Sequence, residues 1–478
     1  RSFHASCWFL QAAMGSNDES NLLSLYAFVF FSQFQPASPF FVNFLLDTMH
    51  FSNHQVFARI LNLFIFSKLP CVALVGLLSE VPGCSSRSLL ILGAICNLVT
   101  NVLTRLGTVL WMQQFAEFTI AFSMASHITI MSLVFATSPQ AQFQKSVHTV
   151  HAVLLVANFF SAVLGEVLRD VAGFSVSLLY DLTIAGQIMS LLCAVSLPSS
   201  PLDYTLRQGE LDSVQRDPTA PQLASKICSA TLACRAVAQL KLPLVGLWHA
   251  LCLPVVTWWT LWSLAMVPAH ALTLTYWQSL VRAKNIRRDH NGYVMAIMYL
   301  IAAALTVGTR HVSPLRRLTS PLVISSMLGA GCILWRFVVE PSQLQTYGWL
   351  LLYTCLYHVS SVVGTFQVGA EITRVTKACK SQEALCEQTP DQVRVPRVAR
   401  LTLLFSVTGI MGSINANIFQ TIISRQNSIQ DQLKGIGWSL GAFAAVLGLL
   451  RGVEVLRNCC YRKASASSTD LGSGVACT

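Results

Sequence analysis

The sequence is poor in charged residues. Asp, Glu, Lys and Arg make up 11% of its 478 residues, whereas hydrophobic residues make up 53%. Soluble domains contain about 25% charged residues, so a chain of soluble domains is excluded. The charges present are unbalanced, with 32 Lys and Arg against 21 Asp and Glu and a net charge of +11.

The sequence also lacks the short motifs of common enzymes and metal proteins. It has no phosphate-binding Gly-Lys-Ser/Thr loop, which argues against an ATP-driven pump, and no Gly-x-Ser-x-Gly nucleophile elbow. Its 15 cysteines are scattered without a Cys-x-x-Cys pair, so zinc or redox chemistry is not indicated. His148 and His151 lie three residues apart, a weak metal pattern without a general-base Glu. We therefore expect no enzyme activity, no cofactor and no metal site.

What the sequence has in quantity is long apolar runs. A membrane-spanning helix needs about 20 apolar residues, so a chain of this length accommodates about twelve spans and one long loop. The predicted spans are 22–46, 55–79, 89–110, 112–136, 146–168 and 174–197, followed by 251–279, 291–309, 320–338, 347–370, 400–423 and 435–456.

A polar stretch divides these spans into two similar sets of six. It runs from Pro198 to about Lys241 and contains prolines, acids and bases. Two six-span halves joined by a polar loop are typical of the major facilitator superfamily. The predicted fold is therefore an all-α membrane protein of twelve transmembrane helices. Its expected divisions are a tail (1–21), an N-terminal half (22–197), a linker (198–247), a C-terminal half (248–457) and a second tail (458–478).

The distribution of Lys and Arg predicts the orientation. With the N-terminus in the cytoplasm most of these residues fall on the cytoplasmic side, as the positive-inside rule requires. Both termini are then cytoplasmic, and a plasma-membrane location is expected. The net positive charge is explained by this topology and by the anionic inner leaflet of the lipid bilayer. No nucleic-acid partner is needed to account for it.

Polar residues inside the spans predict where a substrate would bind. Such residues are costly at membrane depth and usually face an internal cavity, although each one alone could instead form a hydrogen bond between helices. Two prolines, Pro36 and Pro39, should also break the first span beside the cavity or a neighbouring helix. The candidate substrate-binding residues are Gln35, Ser38, Lys68, His127, His151, Tyr276, Gln278, His358, Gln367 and Gln420.

Several short runs resemble the reduced folate and thiamine carriers, a vitamin carrier family of the major facilitator superfamily. They occur in family order over residues 30 to 423. In the N-terminal half they are Gln35-Pro36-Ala37-Ser38-Pro39-Phe40-Phe41, Met112-Gln113, Ser138-Pro139 and Phe143-Gln144-Lys145. In the C-terminal half they are Leu261-Trp262-Ser263-Leu264, Tyr276-Trp277-Gln278-Ser279-Leu280, Asn291-Gly292, Thr365-Phe366-Gln367-Val368 and Gln420-Thr421-Ile422-Ile423.

The chain departs from the family pattern at charged positions. Where the family resemblance places an acid in the first span, this chain has Ser38. Where it places an acid in the fourth span of thiamine carriers, this chain has Ser126 or His127. Two family arginines fall at His151 and His358. A second-span tyrosine falls at Lys68, while Gln420 agrees with the thiamine carriers. The resemblance implies a secondary carrier that moves folate- or thiamine-class vitamins by alternating access, together with a coupling ion or an exchanged anion.

Charge favours an anionic substrate. Lys68 lies mid-span beside Pro70, whereas Arg59 lies one turn into the same span and is expected to reach the membrane surface. A cavity that contains Lys68 would repel cationic thiamine, because uncompensated like charges in a low dielectric cost several kcal/mol. Two alternatives stay open: a receptor or scaffold that does not transport, and a carrier for another organic anion.

Overall fold

The structure is a computed structural model that describes residues 17–52, 54–79, 84–138, 142–197, 251–283, 291–310, 318–385, 397–423 and 429–472. All regular secondary structure in these ranges is helical. The predicted linker at 198–247 lies outside the described residues, as do most of the N-terminal tail and the last residues of the C-terminal tail.

Six helical elements form the N-terminal half, and their labels follow chain order. The element α1 comprises Asn17–Gln33 and, after a break, the short helices Ser38–Phe40, Phe41–Asn43 and Phe44–Thr48. The element α2 is a π-helical turn, Gln55–Ile60, followed by Leu61–Ser79, and α4 is Leu110–Ser126 continued after His127 as Ile128–Thr137. The other three are α3 (Ser86–Leu106), α5 (Phe143–Asp170) and α6 (Val176–Ser196).

The C-terminal half contains six more helices. They are α7 (Pro254–Ala283), α8 (Asn291–Thr309), α9 (Thr319–Val339), α10 (Gln343–Leu385), α11 (Arg397–Ile423) and α12 (Ile429–Gly472). The helices α10 and α12 continue well beyond the predicted tenth and twelfth spans, 347–370 and 435–456, because a helix can extend past its apolar segment.

The predicted break in α1 is confirmed, and its hydrogen bonds are satisfied by neighbouring helices. Pro36 and Pro39 lack the N–H that would continue the helix. The Gln35 N–H donates to the Ser161 hydroxyl of α5 at 2.9 Å, and the Ala37 N–H donates to the Thr183 hydroxyl of α6 at 3.3 Å. Irregular backbone at membrane depth is tolerated where such partners exist.

Ten of these elements are long and apolar enough to cross a membrane, counted over the described residues. They are α2 to α10 and α12. The element α1 is not among them because its longest helix, Asn17–Gln33, has 17 residues, and α11 is not among them either. The chain is a multi-pass membrane protein.

The two halves pack together mainly through two pairs of helices. In one pair α5 lies against α8, and in the other α2 lies against α11. The α5–α8 approach is close: a Cβ on Gly292 would lie 2.9 Å from the backbone oxygen of Ala162. The larger apolar cluster is built around Trp259 and Trp262 of α7 and includes Ile65, Leu155 and Ala162 of the N-terminal half, whereas the buried residues of a second cluster all belong to the N-terminal half.

Candidate transport site between the two halves

A cavity of about 260 Å³ lies between the halves. Helices of both halves line it: α2 and α4 from the N-terminal half, and α7, α10 and α11 from the C-terminal half. Its wall is mainly apolar, with hydroxyl groups from Ser263, Thr365, Thr408 and Ser413. A mostly apolar cavity with a few polar groups is typical of small-molecule sites.

Lys68 is the charged side chain that lines this cavity within the described part of the chain. It is partly buried, and Pro70 follows it inside the same helix. Arg59, by contrast, is exposed one turn into α2 and does not line the cavity. A cation in a mostly apolar wall attracts anions more strongly than it would in water, so the cavity is electrostatically suited to a negatively charged ligand.

A cluster of aromatic and imidazole rings lies beside Lys68. The His270 ring stacks on Tyr357 with 3.6 Å between centroids and an interplanar angle of 12°. His358 lies edge-on to His270 at 5.3 Å, and Tyr299 lies 6.3 Å from His358. His151 of α5 is an electrostatic neighbour of His358, and Lys68 is one of His270. Side chains of both halves therefore meet at this cluster.

Two predicted glutamines connect the halves by hydrogen bonds. The Gln420 amide donates to Tyr276 at 2.7 Å and to Asn62 of α2 at 2.5 Å. The Gln278 amide donates to the backbone oxygen of Pro39 at 3.1 Å. These bonds lie at the end of the bundle where α1, α7 and α11 end and α2 begins. We call Asn62, Tyr276, Gln278 and Gln420 the closing contacts, because they join the two halves at that end.

The remaining predicted residues are dispersed. Gln367 accepts from Trp259 Nε1 at 2.8 Å and from the Thr319 hydroxyl at 3.1 Å, so its oxygen supports packing within the C-terminal half. Gln35 donates to the Ser32 oxygen at 3.3 Å, and His127 lies edge-on to Phe28 at the kink of α4. Ser38 is exposed at the break in α1.

The structure also adds residues that the sequence analysis did not select. Asn62 completes the closing contacts. Glu166, fully buried near the end of α5, accepts from the N–H of Gly292 at 2.7 Å and so places a carboxylate at the start of α8. Carboxylates are stabilising at helix N-termini. No group of three or more His, Cys, Asp or Glu side chains that could hold a metal occurs within the described ranges.

The exposure of Ser38 leads to a labelling prediction. In a chain freed of its native cysteines, Ser38→Cys should react with a small charged thiol reagent, and bound substrate should slow the reaction. Ser325→Cys is the matched control, since Ser325 is exposed on α9 between the exposed Leu322 and Leu328. Mass-spectrometric labelling rates measure both. A Ser38→Cys protein that reacts no faster than the control would place residue 38 against lipid.

The two six-helix halves with a cavity between them have the fold of the major facilitator superfamily. Solved structures of that superfamily are similar across most of the chain. A proton:xylose symporter matches with a TM-score of 0.61 and 14% identity, covering 90% of this chain and 94% of that one. A human organic anion transporter matches with a TM-score of 0.56 and 10% identity, covering 91% and 99%.

The chain belongs to the reduced folate carrier family, whose sequence profile matches residues 18–378. The reduced folate transporter of Rattus norvegicus is 25% identical over 358 residues, which cover 73% of this chain and 69% of the relative. A folate-like transporter of Dictyostelium discoideum is 20% identical over 346 residues, covering 71% and 54%. Human thiamine transporter 1 is 26% identical over 170 residues, covering 35% and 32%.

These comparisons confirm three predictions: the major facilitator fold, membership of the folate and thiamine carrier family, and a vitamin transport function. Both the family and the fold are those of transporters. The site is therefore expected to bind a small-molecule substrate within a membrane protein.

Proposed function

We propose that this chain carries an anionic vitamin of the folate class across the plasma membrane and discriminates against cationic thiamine. The observation that carries the proposal is Lys68 in the wall of the cavity between the halves. Among the described lining residues there is no carboxylate that could pair with a cationic substrate. The names of the relatives in rat and Dictyostelium agree with such a cargo.

The proposed substrate site surrounds Lys68. The carboxylates of a folate would face Lys68, and its heteroaromatic ring would lie against the apolar wall formed by residues such as Ile65, Met124 and Met131. Gln367 supports this arrangement because its hydrogen bonds with Trp259 and Thr319 both use Oε1, which leaves the amide N–H groups for a ligand acceptor. We include Gln35, Ser38 and His127 on the N-terminal side, and His151 and His358 at the adjoining ring cluster.

The closing contacts have a role in alternating access under this proposal. With both termini in the cytoplasm, the end of the bundle where α1 ends and α2 begins is extracellular. The bonds from Gln420 to Asn62 and from Gln278 to Pro39 then close the extracellular side. At the opposite end Phe135 of α4 lies over Gly369 of α10, where an added Cβ would be 2.1 Å from the ring. Rocking of 22–197 against 248–457 would open one end at a time.

A competition panel tests the proposed cargo. Cells that express the chain are given one labelled folate, and unlabelled folates, thiamine and thiamine phosphates compete for uptake. We expect folates to inhibit at the lowest concentration, phosphorylated thiamine at a higher one and free thiamine at the highest. Inhibition by free thiamine alone would overturn the anion preference. Inhibition by unrelated organic anions only would support the alternative carrier.

A further inference from the structure

Three imidazoles in the ring cluster have nitrogen atoms that are buried without a hydrogen-bond partner. These atoms are Nε2 of His151, Nδ1 of His270 and Nε2 of His358. A buried polar atom without a partner costs about 1–3 kcal/mol, and native structures keep few of them. Three such atoms on neighbouring histidines of α5, α7 and α10 therefore call for an explanation.

Among the described residues, the groups that surround the cluster include no fixed negative charge. The titratable groups that face it are Lys68 of α2, Tyr299 of α8, Tyr353 and Tyr357 of α10, and His148 one turn before His151 on α5. None of the electrostatic neighbours recorded for the three histidines is a carboxylate within the described residues. An imidazolium here would have no counter-ion in the empty protein, and Lys68 would repel it.

A bound anion with two carboxylates changes this balance. Lys68, the charged residue in the described cavity wall, compensates one of the two negative charges. The second carboxylate would be buried without a counter-ion, which is strongly unfavourable. Protonation of one adjoining histidine supplies the missing positive charge. Histidine suits this role because its ordinary pKa of about 6.5 allows it to change charge near physiological pH.

We infer that His151, His270 and His358 form a proton-binding site that takes up one proton together with a dianionic substrate, which would make the carrier a proton-coupled symporter. The inference rests on the proposed anionic cargo. The proton comes from bulk water on the side where the substrate is bound. It resides on one imidazole nitrogen and returns to water on the opposite side when the substrate leaves. No covalent bond of the substrate changes.

Thermodynamic linkage gives the inference a quantitative test. If one proton is taken up with the substrate, the apparent Kd for a folate should rise about tenfold per pH unit over the range in which the empty cluster is neutral. The carboxylates of the ligand do not contribute, because ordinary carboxyl pKa values lie near 4. A matched ligand is pteroate, which has the same ring system but one carboxylate. Its Kd should change little with pH.

The experiment uses the purified full-length chain in weakly buffered solution with a pH-indicator dye. Folate binding should remove about one proton per bound molecule from the solution, and pteroate binding should remove none. In His270→Gln and His358→Gln the proton uptake should disappear and the pH dependence of folate binding should flatten. Glu117→Gln is the control, since Glu117 is a buried acid on α4 that is not among the electrostatic neighbours of the three histidines. It should behave as wild type.

Each outcome decides the inference. Folate binding without proton uptake by the wild type overturns it, and so does loss of uptake in Glu117→Gln with retention in the histidine variants. If the histidine variants do not fold, the comparison of folate with pteroate on the wild type still decides the question. A chain that binds no folate at any pH refutes the proposed cargo itself, a result distinct from pH-independent binding.

Discussion

Gly292→Ala should reduce vitamin uptake about five- to 150-fold at equal surface expression. Gly292 is the second residue of α8, where this helix contacts α5, and an added Cβ would lie 2.2 Å from Glu166 Oε2 and 2.9 Å from the Ala162 backbone oxygen. The carboxylate could move, but the backbone oxygen could not, so α5 and α8 would have to separate. Overpacking of this kind costs about 1–3 kcal/mol, which changes an equilibrium between closed and open states roughly five- to 150-fold.

Gly308→Ala provides the matched control on the same helix. Nothing lies within 4 Å of the position that its Cβ would occupy, and uptake should stay at the wild-type level. Initial rates of labelled-folate uptake, divided by surface expression, measure both variants. Equal loss in the two would mean that α8 tolerates no extra methyl group for reasons unrelated to its contact with α5. Wild-type uptake by Gly292→Ala would mean that this contact does not limit transport.

Lys68→Tyr should weaken inhibition by folates ten- to 150-fold and leave inhibition by thiamine almost unchanged. The substitution restores the residue that the family resemblance places here and keeps much of the volume. A hydrogen bond to a charged group contributes about 1.5–3 kcal/mol, and its loss affects the anion alone. Competition curves for both vitamins, measured on wild type and variant, give the two shifts.

Arg59→Gln tests whether the attraction of folate depends on the cation in the cavity or on any cation of α2. It removes a cation from the same span, but Arg59 is exposed and outside the cavity wall. Its backbone oxygen, which accepts from Gln114, is kept. We expect inhibition by both vitamins to match wild type. Equal shifts for folate and thiamine in Lys68→Tyr would indicate that Lys68 supports packing, and a folate-specific shift in Arg59→Gln would place the attraction outside the cavity.

Hydropathy predicted the helices well and their ends poorly. Apolar runs identify the part of a helix that lies in lipid, because only that part must exclude charge. The polar residues that follow, such as Lys377 and Lys380 in α10, continue the helix without any hydropathic signal. The break in α1 could be predicted because proline acts locally, through its missing N–H and its fixed φ.

The site was predictable only where the signal was local. Lys68 could be selected because a cation in the middle of an apolar span is costly by itself. The bond between Gln420 and Asn62 joins residues 358 positions apart, and nothing in the composition of either helix indicates the other. Glu166 was missed for a related reason. It lies at the end of its span, where acids commonly face water, and its partner is a backbone N–H that leaves no mark in the sequence.

The central claim is that this chain moves an anionic vitamin rather than merely binding it. Counterflow in liposomes tests this most directly: the purified chain is reconstituted, the vesicles are loaded with unlabelled folate, and a trace of labelled folate is added outside. A carrier predicts transient accumulation of label above its outside concentration, which should be strongly slowed by Gly292→Ala and retained by Gly308→Ala. Saturable binding of folate without any accumulation would contradict the account and identify the chain as a receptor on a carrier fold.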